Sequence, residues 1–140
     1  MASNVIEVVA GIIWNDSGQF LAAQRPEGKN FAGWWEFPGG KIEAGESSEA
    51  ALVRELQEEL AISATENVYW QQVEHCYQHA TVSIDFFHVF QFDRDIDPQE
   101  QQAVRWVHPE EAVQMQFLPA DEEILQLLQK YDFPQSERVK

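Results

Sequence analysis

The chain has 140 residues, of which 44% are hydrophobic and 12% aromatic, a composition that suits one folded domain with a sizeable core and excludes a disordered chain. With 24 acidic and 9 basic residues it carries a formal net charge of −15. Such a surface argues against binding polymeric DNA or RNA, which requires basic patches.

The N-terminal segment and the cysteine content bear on the compartment. The first residues, MASNVIEVVAG, lack a basic segment before an apolar one, and no run is long and apolar enough to span a bilayer. We therefore expect a cytoplasmic protein without membrane contact. The single Cys76 excludes an internal disulfide and a cysteine-based zinc cluster, and we expect it to be packed within a strand.

Apolar β-branched runs bounded by turn residues predict strands, and apolar residues at helical spacing predict helices. In the first half we predict, in order, a strand over 5–14, a turn over 15–18, a returning strand over 19–25, a polar loop over 26–33 and a short strand over 34–37. In the second half we predict a helix over 48–60, a hairpin of strands over 68–77 and 81–92, an acidic loop over 93–102, a strand over 104–107, a short helix over 109–115 and a second main helix over 120–131. Hairpins mixed with two main helices indicate the α+β class. We expect one domain over residues 1–133, followed by a polar tail over 134–140.

The most informative segment is the helix that follows the glycine pair Gly39-Gly40. Glu55, Glu58 and Glu59 are related by i, i+3 and i, i+4, so they share one helix face, where like charges repel. A divalent cation such as Mg²⁺ would reverse that penalty, because it prefers carboxylate oxygens. An apolar stripe on the other side would seat the helix on a core; it consists of Leu52, Val53, Leu56 and Leu60. The alternative is an acidic helix face that contacts only solvent, and the glycine-rich segment just before the helix argues against it.

This segment resembles the signature of the Nudix hydrolases, G-x5-E-x7-R-E-U-x-E-E-x-G-U, in which U is a bulky aliphatic residue. The matching positions are Gly40, Glu46, Arg54, Glu55, Leu56, Glu58, Glu59 and Ile62. Ala61 stands where the signature has glycine, just past the helix end, where a left-handed residue often caps a helix. An alanine held in that conformation costs about 1 kcal/mol.

The resemblance extends over nearly the whole chain and is closest to the MutT type of the family. Segments 9–13, 24–26, 35–41 and 117–121 are similar to segments of those enzymes. The resemblance implies a Nudix-type α/β/α sandwich with a mixed β-sheet and two main helices. It also implies a nucleoside triphosphate as substrate, with monophosphate and pyrophosphate as products, and Mg²⁺ or Mn²⁺ as cofactor. We expect a monomer or a homodimer.

The metal ligands implied by the resemblance are all oxygen donors: the backbone carbonyl of Gly40 and the carboxylates of Glu55, Glu58, Glu59 and Glu100. Glu100 lies six residues before Trp106, at the place of a loop glutamate in MutT-like enzymes; from the residues alone it would be only a loop acid. The predicted catalytic residues are Glu55 and Glu58. Glu55 is expected to take the proton of a water whose pKa the metal lowers, although glutamates in one cluster can exchange roles.

Four further residues are expected around the metal and the phosphates. Arg25 and Lys41 are predicted to contact phosphate, with a surface cation as the alternative for each. Glu46 and Arg54 belong to the signature but are expected to act as supports. Glu46 would accept hydrogen bonds from the loop, and Arg54 would orient a neighbouring glutamate.

Base recognition is predicted from Asp121, Phe117 and Trp34. MutT enzymes that act on 8-oxo-dGTP use an asparagine after the Pro-Ala step, where this chain has Asp121. An ionised aspartate only accepts hydrogen bonds, from a guanine-type N–H or from the cytosine amine, whereas a buried, protonated one also donates. Asp121 could instead cap the second main helix. Phe117 and Trp34 are predicted to stack on the base, and Trp35 and Phe37 to lie in the core.

The leading hypothesis is a Mg²⁺-dependent nucleoside triphosphate pyrophosphohydrolase that clears oxidised or modified nucleotides such as 8-oxo-dGTP. The nearest alternative is a CTP or 5-methyl-dCTP pyrophosphohydrolase. A Nudix enzyme for another diphosphate, such as ADP-ribose, fits the segment over 117–121 less well. A non-catalytic lesion-recognition module is the alternative of another class. Such modules usually lack the glutamate cluster that this chain keeps, and the acidic surface disfavours duplex DNA.

Overall fold

The computed structural model describes residues 5–130. The predicted tail over 134–140 and the predicted end of the last helix at Tyr131 lie outside these residues. In chain order the elements are β1 (Val5–Ile13), β2 (Phe20–Gln24), β3 (Trp35–Glu36), β4 (Gly39–Lys41), α1 (Ser48–Leu60), β5 (Ser63–Cys76), β6 (Thr81–Asp93), β7 (Val104–Val107), α2 (Pro109–Ala112), a 3-10 turn (Pro119–Asp121) and α3 (Glu122–Lys130). None of the helices within this part of the chain is both long enough and apolar enough to cross a membrane.

Four strands form a mixed sheet in the order β4-β1-β6-β5. β1 runs parallel to β6, from the pair Val5–Thr81 to the pair Ile13–Val89, and antiparallel to β4. β5 and β6 form the predicted antiparallel hairpin. β5 begins at Ser63, five residues before the predicted start at Val68. The sequence pattern missed these residues because three register shifts interrupt the alternation of side chains by which a strand is recognised.

A second, three-stranded antiparallel sheet has the order β3-β2-β7. The expectation that β2 returns beside β1 is wrong, although the turn forms, with the Asn15 amide donating to the Gln19 carbonyl at 2.9 Å. Among the described residues, an isolated bridge joins Trp14, just after β1, to Phe20, the first residue of β2. The physical reason is burial: the first four residues of β2 are buried on both faces, so the strand lies in the interior rather than along a solvated hairpin.

Helices pack on both faces of the mixed sheet, the α/β/α arrangement of the α+β class that the resemblance implied. α1 begins where predicted, because the Ser47 hydroxyl accepts a hydrogen bond from the Ala50 amide at 3.1 Å. Its leucines at 52, 56 and 60 are fully buried against the sheet. α3 packs Ile124, Leu125 and Leu128 on the opposite face, in the cluster that contains most of the buried aromatic residues.

Two predictions about single side chains have different outcomes. Phe37 lies in the core, 4% exposed, and Trp35 packs against the same cluster while half-buried. Cys76 is the last residue of β5, as predicted for a strand residue, but it is exposed rather than packed. Its thiol contacts the hydroxyl of Thr81 across the hairpin at 3.5 Å.

Candidate active site

A cleft of about 1040 Å³ runs from the glutamate face of α1 to the start of α3. Its acidic lining consists of Glu36, Glu55, Glu58, Glu59, Glu100 and Asp121, and its basic lining of Arg25, Lys29 and Lys41. Aliphatic residues of the mixed sheet form part of the wall: Ile6, Val8, Val82 and Ile84. The structure therefore brings the predicted metal-binding and phosphate-binding residues, and Asp121, to one cleft.

The Gly-rich entry of α1 lies directly against the helix carboxylates. A side chain at Gly40 would collide with the carboxyl group of Glu55. The Gly39 amide donates to Glu59 Oε1 at 3.1 Å. A Cβ at Gly39 would collide with the backbone of Val9 and Ala10, so glycine is needed there, whereas a Cβ at Gly40 would require the carboxyl group of Glu55 to move.

Arg54 connects the signature residues to one another. Its Nε and one terminal nitrogen donate to both oxygens of Glu46, at 2.7 and 2.9 Å. The other terminal nitrogen donates to Glu55 at 3.1 Å and to Glu58 at 3.2 Å. Glu46 also accepts from the Glu43 amide at 2.9 Å, and these contacts lower its pKa to about 2, the Arg54 hydrogen bond first. The contacts expected of Glu46 and Arg54 are thus present.

Glu59 is partly buried on the helix face that lines the cleft. Its pKa is raised to about 7, first by burial and then by the negative charges of Glu36, Glu55 and Glu100, while the hydrogen bond from the Gly39 amide acts in the opposite direction. Glu59 Oε2 also accepts from the amide of Gln102 at 3.4 Å.

Gln102 connects two of the predicted ligands, a contact that sequence reasoning missed. Its side-chain oxygen accepts from the Glu100 amide at 3.1 Å, while its nitrogen contacts Glu59. Gln102 is buried at the end of the loop predicted to be acidic. A buried amide within that loop could be noticed only once the loop was known to return to α1.

The predicted ligands fit a hard divalent cation by their chemistry, since all of them are oxygen donors. Within residues 5–130, no three acidic, histidine or cysteine side chains are already grouped to hold a metal. The carboxylates instead contact cations and N–H donors, as Glu55 and Glu58 do with Arg54, and Glu100 with Lys29 at 3.4 Å. A divalent cation would therefore compete with these donors for the same oxygens.

The two predicted phosphate ligands, Arg25 and Lys41, both line the cleft but differ in burial and in their contacts. Arg25 is half-buried, donates to Glu36 at 3.1 Å and to the Asn30 carbonyl at 2.7 Å, and so is held in place. Lys41 is exposed, and its carbonyl accepts from Arg54 at 3.0 Å.

Glu36 was not singled out from the sequence, because it lies in a short strand with no charge pattern around it. Burial raises its pKa, and Arg25 opposes that rise.

Asp121 occupies the end of the cleft away from α1 and is 4% exposed. Burial raises the pKa of its carboxyl well above the usual range, and the charge of Glu36 adds to the rise. A hydrogen bond with the backbone of Phe37 and the charge of Arg25 act in the opposite direction.

The structure does not bring the two predicted stacking residues to the cleft. Phe117 is 3% exposed and packs in the core against Phe20 and Phe37, with ring centroids 6.3 and 5.6 Å away. Trp34 is half-buried and is not part of the cleft lining within the described residues. Both are aromatic residues near strand ends, where packing into the core competes with facing a ligand.

Comparison with known proteins agrees with this geometry. Residues 9–127 match the NUDIX domain. The CTP pyrophosphohydrolase of Escherichia coli K12 is 44% identical over 122 residues, covering 87% of this chain and 90% of that protein. The 8-oxo-dGTP diphosphatase of Haemophilus influenzae is 38% identical over 128 residues, covering 91% and 94%. The solution structure of the E. coli ORF135 protein superposes with a TM-score of 0.79 at 44% identity, covering 89% of this chain and 88% of that one.

The chain therefore belongs to the Nudix family, and it is a Nudix hydrolase with a MutT-like fold.

Proposed function

We propose that this Nudix hydrolase cleaves nucleoside triphosphates to a monophosphate and pyrophosphate, and that cytosine nucleotides such as CTP are its preferred substrates. The observation that carries the proposal is the cleft, which has the helix glutamates at one end and the buried carboxyl of Asp121 at the other. The 44% identity to a CTP pyrophosphohydrolase supports the cytosine alternative over the 8-oxo-dGTP preference first expected from the sequence.

Residues at different places along the cleft are proposed to have different roles in the reaction. Mg²⁺ at the glutamate end would neutralise phosphate charge and make a water more acidic. Arg54, itself held by Glu46, donates a hydrogen bond to the carboxylate of Glu55. Glu55 would accept the proton of the attacking water. Arg25 and Lys41 contribute positive charge for the phosphates, a positioning and electrostatic task.

Asp121 is proposed to read the base edge in its protonated form. Its buried position disfavours the charged carboxylate. A neutral carboxyl presents one donor and one acceptor. The cytosine edge offers the complementary pair, because its ring N3 accepts and its N4 amine donates.

Exchanging Asp121 for leucine and for asparagine tests this assignment. Asp121→Leu removes both the donor and the acceptor, and we expect kcat/KM for CTP to fall by about tenfold, the size of one good base contact. Asp121→Asn presents a donor and an acceptor as a neutral carboxyl does, so it should retain most of the kcat/KM for CTP. Glu122→Gln, the next residue along and exposed, is the matched control and should leave kcat/KM unchanged. An unchanged kcat/KM for CTP in Asp121→Leu would show that Asp121 is not the reader.

Pyrophosphate release with Mg²⁺ across a nucleotide panel tests the proposed function itself. The panel contains CTP, dCTP, 5-methyl-dCTP, dGTP, 8-oxo-dGTP and ADP-ribose. We expect the highest kcat/KM for a cytosine nucleotide. A preference for 8-oxo-dGTP would establish the second candidate, which the 38% identical diphosphatase and the asparagine-like neutral carboxyl both favour. Turnover of ADP-ribose alone would refute the proposal.

A further inference from the structure

Phe31 lies in the loop between β2 and β3, on the rim of the cleft. Its side chain is 40% exposed, and its backbone has a φ of 61°. A bulky residue rarely adopts this left-handed conformation, because its Cβ crowds the following carbonyl. The loop around it is held in place: the Asn30 carbonyl accepts from Arg25 at 2.7 Å, and the Gly33 amide donates to the Arg25 carbonyl at 2.9 Å. An ordered loop thus keeps an aromatic ring exposed at a conformational cost.

The Phe31 ring is backed by other aromatic rings. It meets Trp34 edge to face at 5.1 Å and Tyr77 at 6.2 Å between ring centroids. Tyr77 also lines the cleft; burial raises the pKa of its hydroxyl, and the nearby negative charge of Asp121 adds to the rise. The aromatic surface therefore continues from Phe31 through Tyr77 to the carboxyl proposed to read the base.

We propose that Phe31 is the stacking residue for the nucleobase, supported by Tyr77, and that it contributes to substrate affinity together with Asp121. This inference rests on the proposed function, since it takes a nucleotide as the ligand. It assigns stacking to a ring on the cleft, in place of Phe117 in the core and Trp34 behind the loop. Strained residues and exposed aromatics with a supporting shell are features of ligand sites.

A purely structural role for Phe31 makes a different prediction. A ring kept only for packing stabilises the loop, so its removal should lower the melting temperature. At a φ of 61°, however, glycine is the residue that relieves the backbone. Phe31→Gly therefore separates the two roles, because relief of the backbone favours stability while loss of the ring weakens base binding.

The test is calorimetric binding of CMP and of inorganic pyrophosphate to the full chain, without turnover. We expect Phe31→Gly to weaken CMP binding about fivefold or more, the loss of one base–aromatic stack. Pyrophosphate binding and the melting temperature should be unchanged or, for the latter, raised. Phe31→Trp should restore CMP binding. Tyr69→Ala is the matched control, since Tyr69 is 52% exposed, meets Phe87 edge to face and lies outside the cleft lining.

Three results would overturn the stacking role. These are unchanged CMP binding in Phe31→Gly, equal loss of CMP and pyrophosphate binding, and failure of the unaltered chain to bind CMP or 8-oxo-dGMP. A lack of triphosphate hydrolysis by the unaltered chain, with CMP binding and its Phe31 dependence intact, would instead refute the proposed function and leave the stacking role in place.

Discussion

Different residues pack against the two faces of the mixed sheet. The cluster under α1 is mainly aliphatic, with Val9, Ile13, Leu52, Leu56 and Leu60 among its members. The cluster under α3 contains most of the buried aromatic residues, among them Trp14, Phe20, Phe37, Phe86 and Phe117. The first face carries the glutamates of α1 on the helix surface above it. The second encloses two buried ionisable groups, His88 and Asp121.

The contrast shows how each kind of function is encoded. On the α1 side the chemistry comes from one contiguous segment, whose helical period places the carboxylates together. On the α3 side it comes from residues far apart in the chain, as in the hydrogen bond from the Trp14 indole to His88 Nδ1 at 2.9 Å. On the α1 side, loss of a surface carboxylate is therefore expected to leave the fold intact but to lower activity. On the α3 side, a substitution is expected to change the stability of the protein or its substrate specificity.

The largest expected effect belongs to Glu58→Gln on the α1 side. Its side chain is 61% exposed, so the fold should remain intact. Removing the charge takes away a predicted metal ligand, and metal assistance contributes several kcal/mol to such reactions. We expect kcat to fall by about a hundredfold or more, measured as pyrophosphate release with Mg²⁺.

Glu49→Gln provides the matched control for that variant. Glu49 lies in the first turn of the same helix, is exposed and is outside the cleft. Its activity should stay near that of the unaltered chain. Near-normal turnover in Glu58→Gln would overturn the metal assignment for Glu58.

His88 gives the largest expected effect on the α3 side. Burial lowers its pKa to about 4, against 6.5 in an unfolded chain. Between pH 6.5 and pH 4, His88 is protonated in the unfolded state but not in the folded state, so the free energy of unfolding falls as the pH drops through this range. The loss is up to about 3 kcal/mol, and His88 makes no difference above neutral pH.

His88→Asn tests this pH dependence, because an asparagine oxygen can still accept from the Trp14 indole while the side chain no longer titrates. Denaturant unfolding from pH 7 to pH 4 should show a shallower loss of stability in the variant, whatever its absolute stability. His79→Asn, at an exposed position, should keep the steep loss. Equal slopes in His88→Asn and the unaltered chain would contradict the assignment.

What the sequence could predict follows the same division. The bounds of α1 agree with the prediction, because capping at Ser47, the apolar stripe and the signature all lie within one short segment. The pairing of β2 with β7, and the position of Glu36 between Arg25 and Asp121, depend on contacts between distant segments. Local sequence patterns do not predict such long-range contacts. For the same reason, the exposed ring of Phe31 could not be distinguished from any other loop aromatic.

The smallest expected effect lies at the end of α1, where this chain departs from the signature. Ala61 has a φ of 60° and a ψ of 30°, the left-handed conformation that the missing glycine would adopt freely. Ala61→Gly should therefore raise the free energy of unfolding by about 1 kcal/mol and the melting temperature by about 3 °C. The same exchange at Ala50, an exposed position inside the helix, should lower stability by about 0.5–1 kcal/mol. Because Ala61 lies outside the cleft lining, kcat/KM should not change in Ala61→Gly. A gain in stability with unchanged activity would show that the α1 face carries local strain that its chemistry does not require, whereas a loss of activity would show that the cap positions the glutamates.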